Sequence, residues 1–215
     1  MSFRRVLRAA GDEPVFYYIT DRRSLAVPNE AALLRCVRKI IAWGVDFIQI
    51  REKDLPDNRL FELTRRVVEI ARKTPQSARC RILVNGRADI AITAGADGVH
   101  LTSSGLRISD IRRWIPKNFI VGASVHTTRE IRAAAGIDYM LMGHVFPTAS
   151  KEGMGAALGV DFLRRTCAVS SVPILALGGI TAARIAAVMQ TGAVGVAGIG
   201  LFQNDDEFAR LNYKR

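Results

Sequence analysis

Apolar positions in this chain follow two different rhythms. Short, nearly continuous apolar runs of strand length, such as Val15-Phe16-Tyr17-Tyr18-Ile19 and Phe47-Ile48-Gln49-Ile50, alternate with longer stretches. In the longer stretches, Arg59 to Lys73 and Asp161 to Ser170 among them, apolar residues recur at helical spacing. Four of the short runs open on a glycine: Gly44-Val45-Asp46, Gly95-Ala96-Asp97, Gly136-Ile137-Asp138 and Gly192-Ala193-Val194. A glycine just past a helix supplies the left-handed turn that ends it, and the apolar run after it reads as a buried parallel strand. Four further runs fall between these: Val15 to Ile19, Arg81 to Val84, Phe119 to Ser124 and Val172 to Leu177. Gly86 to Gly95 leaves room for one short helix. The pattern predicts the α/β class and a single-domain (βα)8 TIM barrel near the lower end of the usual size. A doubly wound open sheet is the rival, but it has no need of so regular an eightfold count.

Residues 1–14 read as a short basic extension and 15–215 as the barrel domain. The chain has 215 residues and 49% apolar content, enough for one substantial core. The basic N-terminus lacks the apolar stretch of a signal peptide, and no run of about 18 apolar residues suggests a membrane span. Cys36, Cys80 and Cys167 are odd in number and lack metal-type spacing, so they read as reduced thiols of a cytoplasmic protein. The net charge of +11 raises the prospect of nucleic-acid binding. Its cations are scattered through the helical stretches, however, with no accompanying motif. A solvated basic surface that attracts anionic small molecules is the preferred reading.

Barrel enzymes place their chemistry at the C-terminal ends of strands. All three histidines fall there: His100, His126 and His144 after the fourth, fifth and sixth runs. His126, beside Ser124 and Thr127, suits a neutral imidazole that exchanges protons near pH 7. His100, inside Val99-His100-Leu101, reads equally as a hydrogen-bonded core histidine, and His144 is open between the two. A three-histidine zinc site lacks any supporting carboxylate or cysteine pattern, so no metal site is expected. Arg51 and Lys53 place two cations where an anionic ligand would meet them, with Asn85 ending the next run. Gly178-Gly179 and Gly198-Ile199-Gly200 close the last two runs with bare backbone suited to cradling a phosphate. Lys151 sits in a polar loop, Pro147 to Gly153, that reads as a lid.

From Tyr18 to Phe202 the chain resembles the thiamin phosphate synthase/thiazole tautomerase (TenI) family. The motifs carrying the resemblance are Tyr18-Ile19-Thr20-Asp21, Gln49-Ile50-Arg51-Glu52-Lys53, Gly95 to Leu101, Gly143-His144-Val145-Phe146-Pro147-Thr148 and Leu177-Gly178-Gly179-Ile180. The resemblance implies a (βα)8 barrel binding a thiazole ethyl phosphate, with the phosphate at the last two strand ends. The synthase branch joins this to a pyrimidine pyrophosphate using Mg²⁺ held by two aspartates, and those positions are Gly86 and Gly105 here. The tautomerase branch carries Asn-Gly-Arg, Ser-Val-His and Gly-His-Val-Phe, matched by Asn85-Gly86-Arg87, Ser124-Val125-His126 and Gly143 to Phe146. The expected function is therefore thiazole tautomerisation, with His126 as the proton carrier and no cofactor. Arg51, Lys53, Asn85, Ser124, His144 and Lys151 are the expected substrate contacts, and Gly178, Gly179, Gly198 and Gly200 the phosphate contacts. The alternatives are thiamin phosphate synthesis with Mg²⁺, favoured by Lys53 and the loop bearing Lys151, and a non-catalytic phosphate-binding barrel. The expected partner is the small thiazole phosphate, with no nucleic acid and no membrane; a homo-oligomer stays open.

Overall fold

Eight parallel strands close into a barrel in sequential order, β1 to β8. They are Val15–Ile19, Phe47–Ile50, Arg81–Asn85, Gly98–Leu101, Ile120–Val125, Tyr139–Gly143, Ile174–Leu177 and Gly195–Gly198. The computed structural model describes residues 3–75, 79–102, 105–127, 130–131, 136–148 and 155–211. Within these, the helices are α1 (Phe3–Ala10), α2 (Glu30–Trp43), α3 (Asp57–Lys73), α4 (Ala88–Thr93) and α5 (Ile108–Ile111). They continue with α6 (Gly159–Val169), α7 (Ile185–Met189), α8 (Gly200–Gln203) and α9 (Asp205–Ala209). The expected barrel is the observed one, and where strand ends differ they do so by a residue or two.

The four glycines that introduce the even-numbered strands all adopt left-handed backbone: φ is 100° at Gly44, 73° at Gly95, 87° at Gly136 and 87° at Gly192. The aspartate two residues on has an equally definite task. Asp46 Oδ2 accepts the Phe16 N–H at 2.9 Å, Asp97 Oδ2 accepts Ile82 N–H at 2.8 Å, and Asp138 Oδ2 accepts Val121 N–H at 2.8 Å. Each aspartate N–H also bonds the carbonyl of the same residue, at 3.1, 2.7 and 2.7 Å respectively. Side chain and backbone thus clasp the start of the preceding strand, satisfying a buried amide. In the fourth repeat Val194 replaces the aspartate and keeps only the backbone half, to Ile174 O at 2.9 Å.

Side chains alternate across the sheet. Tyr17, Ile19, Phe47, Leu83, Ile120, Tyr139, Leu141 and Leu175 fill the barrel interior, while Phe16, Tyr18, Ile48, Ile82, Val84, Val99 and Val121 pack in the layer beneath the helices. Helix α1 belongs to the interior set. Phe3 and Val6 are fully buried, and Phe3 stacks on Tyr139 and Phe47 with centroids 4.8 and 5.1 Å apart. Tyr139 and Phe47 begin their strands, so α1 closes the N-terminal mouth of the barrel. The C-terminal mouth is left for ligands.

Candidate active site

At the C-terminal ends of the strands a cleft of about 580 Å³ is lined by Ile19, Asp21, Arg51, Ser124, His126, Gly143, His144, Thr148, Leu177, Gly178 and Ile199. Arg51 also borders a second depression that holds Lys53, Asn85, Gly86, Arg87 and Thr102. Of the residues expected from the sequence, Arg51, Ser124, His126, His144 and Gly178 meet in the cleft, and Lys53 and Asn85 lie next to it. Gly179, Gly198 and Gly200 are close in sequence to the lining residues Gly178 and Ile199 without lining it themselves. Lys151 lies outside the described residues.

Each lining group is placed by local structure. Arg51 follows β2, its N–H donating to Thr20 Oγ1 at 2.9 Å. His126 follows β5, and its ring Nδ1 lies 2.5 Å from the Gly143 carbonyl. A carbonyl can only accept, so Nδ1 carries the proton and Nε2 is the basic nitrogen of the neutral ring. His126 is solvent-exposed. The peptide linking Gly143 to His144 is cis.

The Gly178-Gly179 turn needs both glycines. Both have left-handed φ, 92° and 64°. A Cβ on Gly178 would lie 2.4 Å from His144 Cβ, and one on Gly179 would lie 2.7 Å from the Pro147 carbonyl. The loop after β6 therefore packs directly on this turn, with Phe146 N–H donating to Gly178 O at 3.1 Å. Arg184 clamps the far side: Nη1 donates to Gly179 O at 2.6 Å, and the guanidinium lies 4.6 Å from the Phe146 ring centre.

The positions where the resemblance places Mg²⁺ ligands can be tested on the donors present. Gly86 and Gly105 open on the same side chain: a Cβ on the first would lie 3.7 Å from Thr102 Cγ2, and one on the second 2.7 Å from Thr102 Oγ1. The Thr102 methyl faces Gly86 and its hydroxyl faces Gly105, and neither glycine supplies a carboxylate. Nearby carboxylates are engaged by arginines: Arg22 donates to Glu52 at 3.0 Å, and Arg87 binds Asp57 and makes a bidentate pair with Asp89 at 2.6 and 2.9 Å. That pairing holds the Asp89 carboxyl below its ordinary pKa. Among the described residues no three His, Cys, Asp or Glu side chains converge as metal ligands. This corner does not fit a hard cation that seeks carboxylate oxygens.

His100 resolves toward the core reading. It is 2% exposed, its Nδ1 is 3.1 Å from Tyr139 Oη, and its Nε2 is 2.9 Å from Ser124 Oγ. Burial first, and the Arg51 charge second, push its pKa down to about 3. The Cys36, Cys80 and Cys167 thiols are each pushed up by burial, which suppresses thiolate chemistry. Asp21 and Thr148 also line the cleft, although the sequence offers them only as members of the family motifs and not as site residues; Asp21 further caps the short turn that follows, accepting Arg23 N–H at 3.1 Å.

Comparison with known proteins agrees on the family. The profile described as thiamine monophosphate synthase matches residues 16–202. A putative thiamine-phosphate synthase of Geobacter sulfurreducens is 39% identical over 183 residues, covering 84% of this chain and 83% of that protein. The thiamine-phosphate synthase of Methanoculleus marisnigri is 42% identical over 162 residues, covering 74% and 75%. Among solved structures, a thiamine phosphate pyrophosphorylase from Pyrococcus furiosus superposes with a TM-score of 0.78 at 30% identity, covering 91% of this chain and 92% of that one. These names favour the transferase alternative over the isomerase expected from the sequence.

Proposed function

This chain belongs to the thiamine monophosphate synthase family, and from that premise we propose the reaction its cleft performs within thiamin biosynthesis. The names of the relatives support joining a pyrimidine pyrophosphate to the thiazole phosphate. The residues at the ends of β3 and β4 support isomerisation of the thiazole phosphate, and this is the reading we adopt. The observation that carries it is the pair Gly86 and Gly105, which supply no carboxylate at the two positions where the resemblance puts the Mg²⁺ ligands of the joining reaction.

Isomerisation asks less of the protein. The substrate, a carboxythiazole ethyl phosphate with an exocyclic double bond, becomes aromatic when one proton moves. The ring C–H bond beside the carboxylate breaks, its electron pair entering the ring, and a C–H bond forms at the exocyclic carbon. His126 Nε2 takes the first proton and returns it at the second site, so the step needs no net proton, electron or metal. The Gly143 carbonyl, already bonded to Nδ1–H, stabilises the transient imidazolium. Arg51 meets the carboxylate, and the backbone at Gly178 and after β8 meets the phosphate, so remote binding energy orients the reacting carbons.

The joining reaction remains the second reading, favoured by the relatives' names. One experiment separates them: incubate the purified chain with the thiazole tautomer alone, and separately with pyrimidine pyrophosphate, thiazole phosphate and Mg²⁺. Isomerisation predicts the aromatic carboxythiazole in the first tube and no pyrophosphate in the second. Thiamin phosphate and pyrophosphate in the second tube, with no change in the first, would overturn it.

A further inference from the structure

A continuous run of hydrogen-bonded side chains crosses the barrel interior, and the proton transfer proposed above does not use it. Gln49 Nε2 donates to Asn85 Oδ1 at 2.9 Å, and Gln49 Oε1 accepts the Tyr17 hydroxyl at 2.9 Å. The Tyr17 and Tyr139 hydroxyls are 2.7 Å apart. Tyr139 Oη then meets His100 Nδ1 at 3.1 Å, and His100 Nε2 meets Ser124 Oγ at 2.9 Å. Gln49, Tyr17, Tyr139 and His100 are buried, whereas Ser124 lines the cleft.

The protein is shaped to hold this run. Tyr139 faces Gly122 on the neighbouring strand, and a Cβ there would fall 2.0 Å from the ring's Cζ, so only glycine admits the tyrosine. Phe3 of α1 stacks on the same ring, its plane tilted by 15°.

A proton count orders the run. A tyrosine hydroxyl has one proton to give, and a neutral imidazole has one N–H and one lone pair. The Gln49 carbonyl oxygen can only accept, so Tyr17 spends its proton there. Tyr139 must then donate to Tyr17, and its own oxygen accepts the Nδ1–H of His100. That leaves His100 Nε2 as a lone pair, to which the Ser124 hydroxyl donates. Ser124 therefore turns its oxygen lone pairs, and not its proton, toward the cleft.

We propose that His100 is a positioning residue that fixes Ser124 as a hydrogen-bond acceptor, so this wall of the cleft takes the edge of a ligand that presents an N–H or O–H donor. The ordering of the run does not rest on the function proposed above, whose thiazole substrate offers this wall acceptors and no such donor; an aminopyrimidine of the joining reaction would present one. Burial keeps the ring neutral at ordinary pH, as the count requires.

The test uses the full chain without any ligand, so its failure is distinct from failure of the isomerase reading. Protein labelled with ¹⁵N-histidine reports each ring's tautomer by two-bond ¹H–¹⁵N spectra, and His100→Gln assigns the resonances. The expected result is an Nδ1–H tautomer for His100 at pH 7. Tyr139→Phe removes the acceptor for that proton and moves the population toward Nε2–H. Tyr17→Phe, which unties Tyr139 from Gln49, does so to a lesser degree and serves if Tyr139→Phe fails to fold. An Nε2–H tautomer in the unaltered protein, or a tautomer indifferent to whichever of these variants folds, would overturn the proposal.

Discussion

Asp46, Asp97 and Asp138 stand just before alternate strands at the N-terminal rim and all make the same clasp, whereas at the C-terminal rim each strand end carries a different set of groups. One rim repeats Gly-x-Asp and accepts a neighbouring strand's N–H each time. The other holds Arg51 after β2, His126 after β5, His144 after β6 and Gly178 after β7. Carboxylates recur where they tie the barrel together, whereas the ends of β3 and β4 carry Gly86 and Gly105 at the positions where the family resemblance places metal-binding carboxylates. The comparison teaches that repetition marks the scaffold, and departure from repetition marks the chemistry.

The comparison breaks most sharply at His126. Replacing it by alanine is expected to slow thiazole isomerisation by roughly 10²–10⁴-fold, the usual worth of a positioned acid–base group. Because the side chain is exposed, the denaturation midpoint should hardly move. A midpoint that falls together with activity would assign His126 to the scaffold.

His100 lies between the two roles, and pH exposes it. Its pKa falls from 6.5 to about 3 in the folded chain, so between these values the unfolded state binds a proton that the folded state excludes. Stability therefore rises with pH across that window, with a slope of up to about 1.4 kcal/mol per pH unit from this group. Urea titrations should show this slope flattened in His100→Gln, and equal slopes would show that the ring is not held neutral.

At the scaffold rim, Asp46→Ala strands the buried Phe16 N–H. A loss of about 1–3 kcal/mol is expected in urea unfolding, with kcat unchanged, and Asp46→Asn should recover most of it by keeping an acceptor. The smallest effect belongs to Gly95→Ala. A Cβ there meets nothing within 4 Å, so only the left-handed φ of 73° costs, about 1 kcal/mol. Gly95→Asn should cost less, and a larger loss in either would mean that the position is packed.

The scaffold was legible in the sequence because its signals are local. Gly44 and Asp46 are two residues apart, and the apolar run that follows is continuous with them. The site was legible as far as strand ends could be located, which is why Arg51, His126 and Gly178 were reached. Asp21 entered only as a member of a family motif, because a polar residue in a turn carries no mark of the cleft it faces. The interior run was invisible because Tyr17 and Tyr139 are 122 positions apart and read as ordinary apolar core. Helix α1 was read as an extension, since arginines dilute the Phe3 and Val6 that plug the barrel.

The claim that the C-terminal rim works by proton transfer is tested most directly by turnover of the thiazole tautomer with and without a strong chelator. The account predicts equal rates with EDTA and with added Mg²⁺ for the unaltered chain, and loss of the rate in both conditions for His126→Ala. A rate that requires Mg²⁺ and survives in His126→Ala would contradict it.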